Sequence, residues 1–276
     1  MKTTILLDAD VPAYRFACRG ATTFDWDDDK EDEPYTQSPS IEYATDNMLQ
    51  HVNDLKDRLN AHRVVLAFSN KDRSKNWRFD VLPSYKSNRV DKPKPEIYWQ
   101  LEEILEQHYD CFRKPGLEGD DVLGILATNN RIIKGHKVIV TIDKDLKTIP
   151  NRTLKGSTNA LLHLPKYGPG EVTEPTEQEA DHYWMYQTLI GDTTDGYKGC
   201  PGVGPVRANK ELGLPQDGCL EVWWPIVVEV YKSKGLGIED ALMQARVARI
   251  CRAEDYDYRN KRALPWEHGR SAYAHT

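Results

Sequence analysis

Four short segments of the chain concentrate carboxylates: Asp8-Ala9-Asp10, Glu118-Gly119-Asp120-Asp121, Asp143-Lys144-Asp145 and Asp192-Thr193-Thr194-Asp195. A single pair of acids is ordinarily a helix cap, because a carboxylate there accepts from free backbone N–H groups. Four sets, two of them closing apolar runs, point to a shared pocket instead. Nine carboxylates in one cleft repel one another severely unless cations neutralise them or some take up protons. Oxygen donors without His or Cys select hard ions, Mg²⁺ with Mn²⁺ as a substitute. Two such ions about 4 Å apart activate a water and stabilise the leaving oxygen of a phosphodiester. Residues three apart share a helix face, so Glu118 and Asp121 are expected to act together and Asp120 to turn toward a second ion. Asp121 serves equally well as a cap or a supporting residue. Asp143 and Asp145 straddle a strand end and are expected to address different ions at the centre of catalysis. The expected metal set is Asp8, Glu118, Asp120, Asp121, Asp143, Asp145, Asp192 and Asp195.

Two further segments suit an anionic polymer. Residues 71–94 carry eight cations, Lys71, Arg73, Lys75, Arg78, Lys86, Arg89, Lys92 and Lys94, interleaved with Trp77, Phe79 and Tyr85. Such a run is either a solvated face or a surface that guides phosphates while rings stack on bases. Trp77 and Phe79 fit a core equally well. Gly199-Cys200-Pro201-Gly202-Val203-Gly204-Pro205 precedes a helical stretch holding Arg207 and Lys210. Alone it is a turn. Glycines at a helix start also expose N–H groups that suit a phosphate.

The elements around these motifs alternate. Thr3–Leu7, Val64–Phe68 and Val138–Ile142 read as buried strands, the first and third running into Asp8 and Asp143. Residues 11–20, 41–60, 96–109, 118–133 and 176–190 read as helices, the last opened by a Thr176/Glu179 capping box. Residues 111–113 suit a short strand, and 153–164 a small hairpin. The pattern predicts a mainly parallel α/β sheet flanked by helices, with sites at the carboxyl ends of strands. A soft boundary follows residue 190, and 191–276 reads as a helical module.

With 276 residues, 39% of them hydrophobic, the chain can bury a core. The net charge of −6 looks wrong for a nucleic-acid binder, but residues 25–33 alone hold seven acids and one Lys, and the rest sums to neutral. That acidic run reads as a solvated loop. Five scattered cysteines without Cys-x-x-Cys spacing fit a reducing cytoplasm and argue against zinc. No apolar run is long enough to span a membrane, and no signal peptide is legible.

In this order the motifs resemble those of the flap endonuclease and 5′ exonuclease superfamily, and most of all the exonucleases of short-tailed phages. The residues that carry the resemblance are Leu6-Leu7-Asp8, Leu66-Ala67-Phe68, Lys75-Asn76-Trp77-Arg78 with Tyr85-Lys86-Ser87-Asn88-Arg89, Leu117-Glu118-Gly119-Asp120-Asp121, Thr141-Ile142-Asp143-Lys144-Asp145 with Lys147-Thr148-Ile149-Pro150, and Gly191-Asp192-Thr193-Thr194-Asp195-Gly196-Tyr197 leading into the glycine turn. The likeness covers nearly the whole chain. It implies a PIN-like 5′ nuclease domain over 1–190, with a helical arch at about 71–95, and a helix–hairpin–helix module within 191–276. It implies 5′→3′ exonuclease and structure-specific flap endonuclease activity by two-metal-ion catalysis on double-stranded DNA, extending to RNA primers in RNA–DNA hybrids. In the family the arch cations engage the scissile phosphate, which maps to Lys86 and Arg89. Arg78, Tyr85, Gly202, Val203, Gly204, Arg207 and Lys210 join the implied DNA contacts. K⁺ at the hairpin, a monomeric state and a host-cell cytoplasmic location complete the expectation. One departure stands out. Many members carry an Asp just after the second strand, where this chain has Ser69, with Asp72 nearby and Asp10 as a substitute carboxylate. Two alternatives remain: a haloacid-dehalogenase-type phosphatase using Asp8-x-Asp10, and a non-catalytic DNA-binding protein.

Overall fold

The computed structural model describes residues 2–18, 39–88, 94–153, 156–165 and 170–269. The acidic run at 25–33 and Arg89 lie outside these residues. The first half builds a sheet from β1 (Thr3–Asp8), β2 (Ala61–Phe68), β3 (Asp110–Arg113) and β4 (His136–Thr141), joined by helices α1 (Asp10–Ala17), α2 (Ile41–Arg58), α3 (Arg78–Val81), α4 (Tyr98–His108) and α5 (Gly119–Thr128). Strands β5 (Thr158–His163) and β6 (Glu171–Thr173) complete it in the order β3-β2-β1-β4-β5-β6, all parallel except β6. The hairpin anticipated at 153–164 is corrected: Thr158–His163 is a parallel strand beside β4, and its hairpin partner is β6.

Strand β1 is buried on both faces, so adjacent residues feed different layers. Ile5 and Leu7 pack with α1, α2 and α4 through Phe16, Met48, Val52, Tyr98 and Leu101. Leu6 packs on the other face with Leu123, Ile125 and Leu126 of α5. Because β2 flanks β1 on one side and β4 on the other, the chain reverses direction across the sheet there. The carboxyl ends of β1 and β4 open a crevice at that switch point.

The second half is helical: α6 (Glu177–Ile190), α7 (Pro205–Leu212), α8 (Leu220–Lys232) and α9 (Ile238–Ala248). Thr176 and Glu179 form the expected capping box of α6. Trp184, Met185 and Leu189 of α6 share a core with Trp223, Val227, Ala241 and Ala245, so α6 packs with the helices that follow it. After α9 the chain returns to the sheet domain, placing Ile250 and Cys251 against α5. A two-stranded ribbon, β7 (Tyr256–Asp257) and β8 (Arg262–Ala263), ends the described chain. The described part of the anticipated arch is a 3₁₀ turn at Arg73–Lys75, the single turn α3 and turns at 83–88, with no long helix. No helix among the described residues is long and apolar enough to cross a membrane.

Candidate active site

Asp8 ends β1 level with Ala67 of β2. Ser69 and Asp143 emerge two residues later from neighbouring strands at the same edge. Helix α5 starts over this edge. Gly119 N donates to Ser69 Oγ at 3.0 Å, and Ser69 Oγ donates to Asp10 Oδ2 at 3.0 Å. Asp10 also accepts from the Tyr98 hydroxyl and lies 3.7 Å from Lys94 Nζ. Ser69 thus ties the α5 N-terminus to the Asp8-Ala9-Asp10 segment. The hydroxyl stands between a backbone donor and a carboxylate, a place where an acid would meet Asp10 as a like charge.

The resulting cleft holds about 450 Å³ and is lined by Asp8, Asp10, Glu118, Asp120, Asp143 and Asp195 together with Tyr85 and Lys86. Asp145 and Asp192 sit beside it, close enough to Asp143 and Asp195 for their charges to interact. Burial, then Asp10, pushes the Asp8 carboxyl up to about 8. Burial, then Asp143, raises Asp145 to about 7. Burial, then Asp143 and Asp8, raises Asp120 well above the carboxylate range, and burial also raises Asp143. Glu118 goes the other way. Burial alone would raise it, but the Lys86 and Arg78 cations hold it down at about 2. Lys86 Nζ lies 2.5 Å from Glu118 Oε1 and 3.6 Å from Asp195 Oδ1.

One pair of residues expected at the site lies elsewhere. Asp121 and Arg78 face each other inside the molecule, 0% and 3% exposed. Arg78 donates to both Asp121 oxygens, at 2.7 and 2.9 Å, and to the carbonyls of Val247 and Arg249. Asp121 also accepts from Trp77 Nε1 and Cys251 N. Asp121 is thus corrected from metal ligand, and Arg78 from DNA contact, to a buried joint between α3, α5 and the returning C-terminal segment. Within the Glu118 motif, Asp120 faces the cleft together with Glu118, the N-cap of α5, while Asp121 turns inward and meets Glu118 through Arg78 and the Glu118 N–H. The Tyr85 ring is buried in the helical core. Its hydroxyl lies 3.0 Å from Glu118 Oε2 and 2.9 Å from Asp195 Oδ2, so the expected base contact is corrected to a brace between acids. At the glycine turn the Val203 side chain is buried, leaving its backbone to be offered. Gly204 precedes α7 with Pro205 in the first turn, Arg207 pairs with Glu211 at 3.3 Å, and Lys234 approaches Gly202. Tyr98 and Lys234 were missed from sequence. Tyr98 reads as an apolar helix residue, and Lys234 lies far from the turn in the chain.

The donor set suits a hard divalent ion. Asp120 Oδ1 and Asp145 Oδ1 are buried without any hydrogen-bond partner, and the nearby Lys86 and Lys144 charges do not offset burial and the neighbouring acids. Among the described residues, no three acids, His or Cys are already closed into a metal cage. The acids instead form two subgroups that meet at Asp143, with the Lys86 ammonium between Glu118 and Asp195.

Residues 26–174, more than half the chain, match the model of the 5′-3′ exonuclease N-terminal resolvase-like domain. Over 232 residues the chain is 32% identical to the exodeoxyribonuclease of Enterobacteria phage T3, covering 74% of this chain and 72% of that one. The chain belongs to the 5′-3′ exonuclease family. The exonuclease of Escherichia phage T7 is also 32% identical over 232 residues, covering 74% of this chain and 73% of that one. The fold of this exonuclease-family protein is similar to that of the T5 D15 protein co-crystallised with metal ions. The TM-score is 0.60 at 13% identity, with 90% of this chain and 93% of that chain covered. A T5 D15 flap endonuclease complex with DNA and metal ions gives 0.58 at 12% identity. As a family member the protein is a 5′ nuclease, a phosphodiester hydrolase. The phosphatase reading of Asp8-x-Asp10 is thereby set aside, and Asp10 is committed to Ser69 and Tyr98.

Proposed function

We propose that the protein hydrolyses DNA at 5′ ends and 5′ flaps with two divalent ions, Mg²⁺ or Mn²⁺, and accepts RNA–DNA hybrids. The convergence of Asp8, Glu118, Asp120, Asp143 and Asp195 with Lys86 on one cleft carries this reading. Asp8, Glu118, Asp120 and Asp143 would hold the first ion, and Asp145, Asp192 and Asp195 would hold or orient the second. When bound, the ions supply a water of lowered pKa and neutralise charge at the phosphate. The chain's own residues prepare the rest. Glu118 and Asp195 hold the Lys86 ammonium over the cleft, where it meets a scissile phosphate as a fixed cation. Lys86 takes a left-handed backbone, φ 54°, and its N–H donates to Asp195 O at 2.8 Å, which fixes where its side chain starts. Tyr85 braces Glu118 and Asp195 from behind, and Arg89, outside the described residues, would join Lys86 in engaging the phosphate.

The N-terminus of α7, with Gly202, Gly204, Arg207, Lys210 and the nearby Lys234, is proposed to grip the duplex backbone away from the cut, K⁺ assisting there. The protein acts as a monomer in this reading. Purified protein incubated with 5′- and 3′-labelled duplexes and flaps should release 5′ products in Mg²⁺ and none in chelator. Asp145→Asn should bind DNA with wild-type affinity and lower turnover by about 10²-fold or more, the size of a lost charge-stabilising group. Near-wild-type turnover of that variant at limiting Mg²⁺ would remove Asp145 from the site.

A further inference from the structure

One wall of the cleft is the turn at residues 70–76, which contributes Asn70, Asp72, Arg73, Ser74 and Asn76. Both ends of this turn are pinned to the loop that leads into α5. Asn70 N donates to Leu117 O at 2.9 Å and Trp77 N to Gly116 O at 3.1 Å. Asp72 closes the turn from within, accepting from Ser74 N at 3.2 Å and Ser74 Oγ at 2.5 Å and pairing with Lys75 Nζ at 3.2 Å. Asp72 is spent on its own turn. Arg73 is exposed on this turn and lines the cleft; its carbonyl accepts from Asn76 N, but its guanidinium has no hydrogen bond or ion pair among the described residues.

A second cation stands beside Asp10, another residue that lines the cleft. Lys94 Nζ lies 3.5 Å from the Tyr98 ring centre and 4.8 Å from that of the half-exposed Trp99, and it reaches Asp10 only at 3.7 Å. Burial lowers the Lys94 pKa, and the Arg73 charge lowers it further against the pull of Asp10. Two like charges within each other's field favour an anion between them.

We propose that Arg73, with Lys94 beside it, forms a subsite for a phosphate of the substrate strand adjacent to the one being hydrolysed. The inference rests on the nuclease reading above and assigns Arg73 a positioning task, not contact with the reacting atoms. A guanidinium offers the planar paired donors that a phosphate accepts. The same chemistry is presented by a terminal 5′-phosphate and by an internal diester, and the two are separable by experiment.

Wild type, Arg73→Ala and Arg73→Lys are compared on duplexes and flaps that carry a 5′-phosphate or a 5′-hydroxyl. A parallel series carries one neutral methylphosphonate at each of the first linkages in turn. KM and kcat are read in Mg²⁺, and Kd by fluorescence anisotropy in chelator. Arg73→Ala should raise Kd and KM about tenfold, the size of one charge-assisted hydrogen bond, and leave kcat unchanged. Arg73→Lys should recover part of the loss. One phosphate should be special: neutralising it weakens wild type by the same factor and leaves Arg73→Ala unaffected. If that phosphate is the 5′ end group, the subsite takes a terminal phosphate; if it is one linkage, an internal diester. Wild-type Kd in Arg73→Ala, or equal sensitivity of both proteins to every neutralised phosphate, overturns the subsite. If no DNA is cut in Mg²⁺ or Mn²⁺, the nuclease reading fails, and the anisotropy series alone decides the subsite.

Discussion

Arg78 meets Asp121 through two parallel hydrogen bonds, and the remaining donors of its guanidinium reach carbonyls and Glu118. Every charge in that group is answered inside the protein, which is the condition for burying an ion pair without leaving an uncompensated charge. It also removes Arg78 from any surface a duplex touches. Arg78→Ala should cost about 3–5 kcal/mol, because Asp121 would then be buried without its cation. Urea unfolding measures that loss. The salt dependence of DNA binding should be unchanged, since no phosphate contact is lost. A wild-type midpoint with a shallower salt slope would return Arg78 to the DNA interface. One residue before Asp121, Asp120 has the opposite environment, with one oxygen buried and unpartnered beside Asp8 and Asp143.

At the scale of elements, the loop after α6 shows how backbone shape delivers acids. Gly191 and Gly199 have φ of 72° and 62°, and the chain crosses itself where they meet. A Cβ on Gly199 would stand 2.3 Å from Gly191 N, and one on Gly191 2.4 Å from Lys198 C. Between them, Asp192 pairs with Tyr197, and its Oδ1 caps Thr194 and Asp195. Gly199→Ala should open this crossing, displace Asp192 and Asp195, and lower turnover more than it lowers the melting temperature. Intact turnover with lowered stability would make the crossing purely structural. The four acid motifs and the strands that carry Asp8 and Asp143 were legible because apolar runs and their carboxyl ends are local features. Helix α2 was legible through Ala44, Met48, Val52 and Leu55, all buried. The split between Asp120 and Asp121 was not, since one residue of phase rotates a side chain about 100° around a helix. Glu118 caps α5 instead of lying within it, and the next residue, Gly119, is held by Ser69, a contact between distant segments that no local pattern reveals. Ala160-Leu161-Leu162 likewise reads as half a hairpin or a buried parallel strand, and only its neighbour β4 decides between them.

Across the whole molecule, the acids of the cleft store a repulsion that protons or cations relieve, and this fixes the sign of a pH effect. Asp8 titrates at about 8 and Asp145 at about 7 when folded, against 3.8 for each unperturbed. Between these values the folded chain holds protons that the unfolded chain has released, so stability falls as pH rises through the folded values. Other shifted groups interfere outside a narrow window. His51, lowered from 6.5 to about 4 by burial and then Arg15, makes stability rise with pH up to about 6.5. Glu118, held at about 2, contributes fully above 4.5. Lys137, lowered by burial to about 8, favours the folded chain as pH rises above that value. From pH 6.5 to 8 the cleft acids dominate. In chelator the melting temperature should fall across this interval. Mg²⁺ should raise it most at pH 8, where the carboxylates are ionised and a bound cation takes over the protons' task. Asp8→Asn should flatten the chelator slope by removing one titrating acid from the cleft. Melting curves at half-unit pH steps, with chelator and with Mg²⁺, read all three effects. A melting temperature that rises with pH in chelator, or a Mg²⁺ increment equal at pH 6.5 and 8, would show that these acids do not share one field.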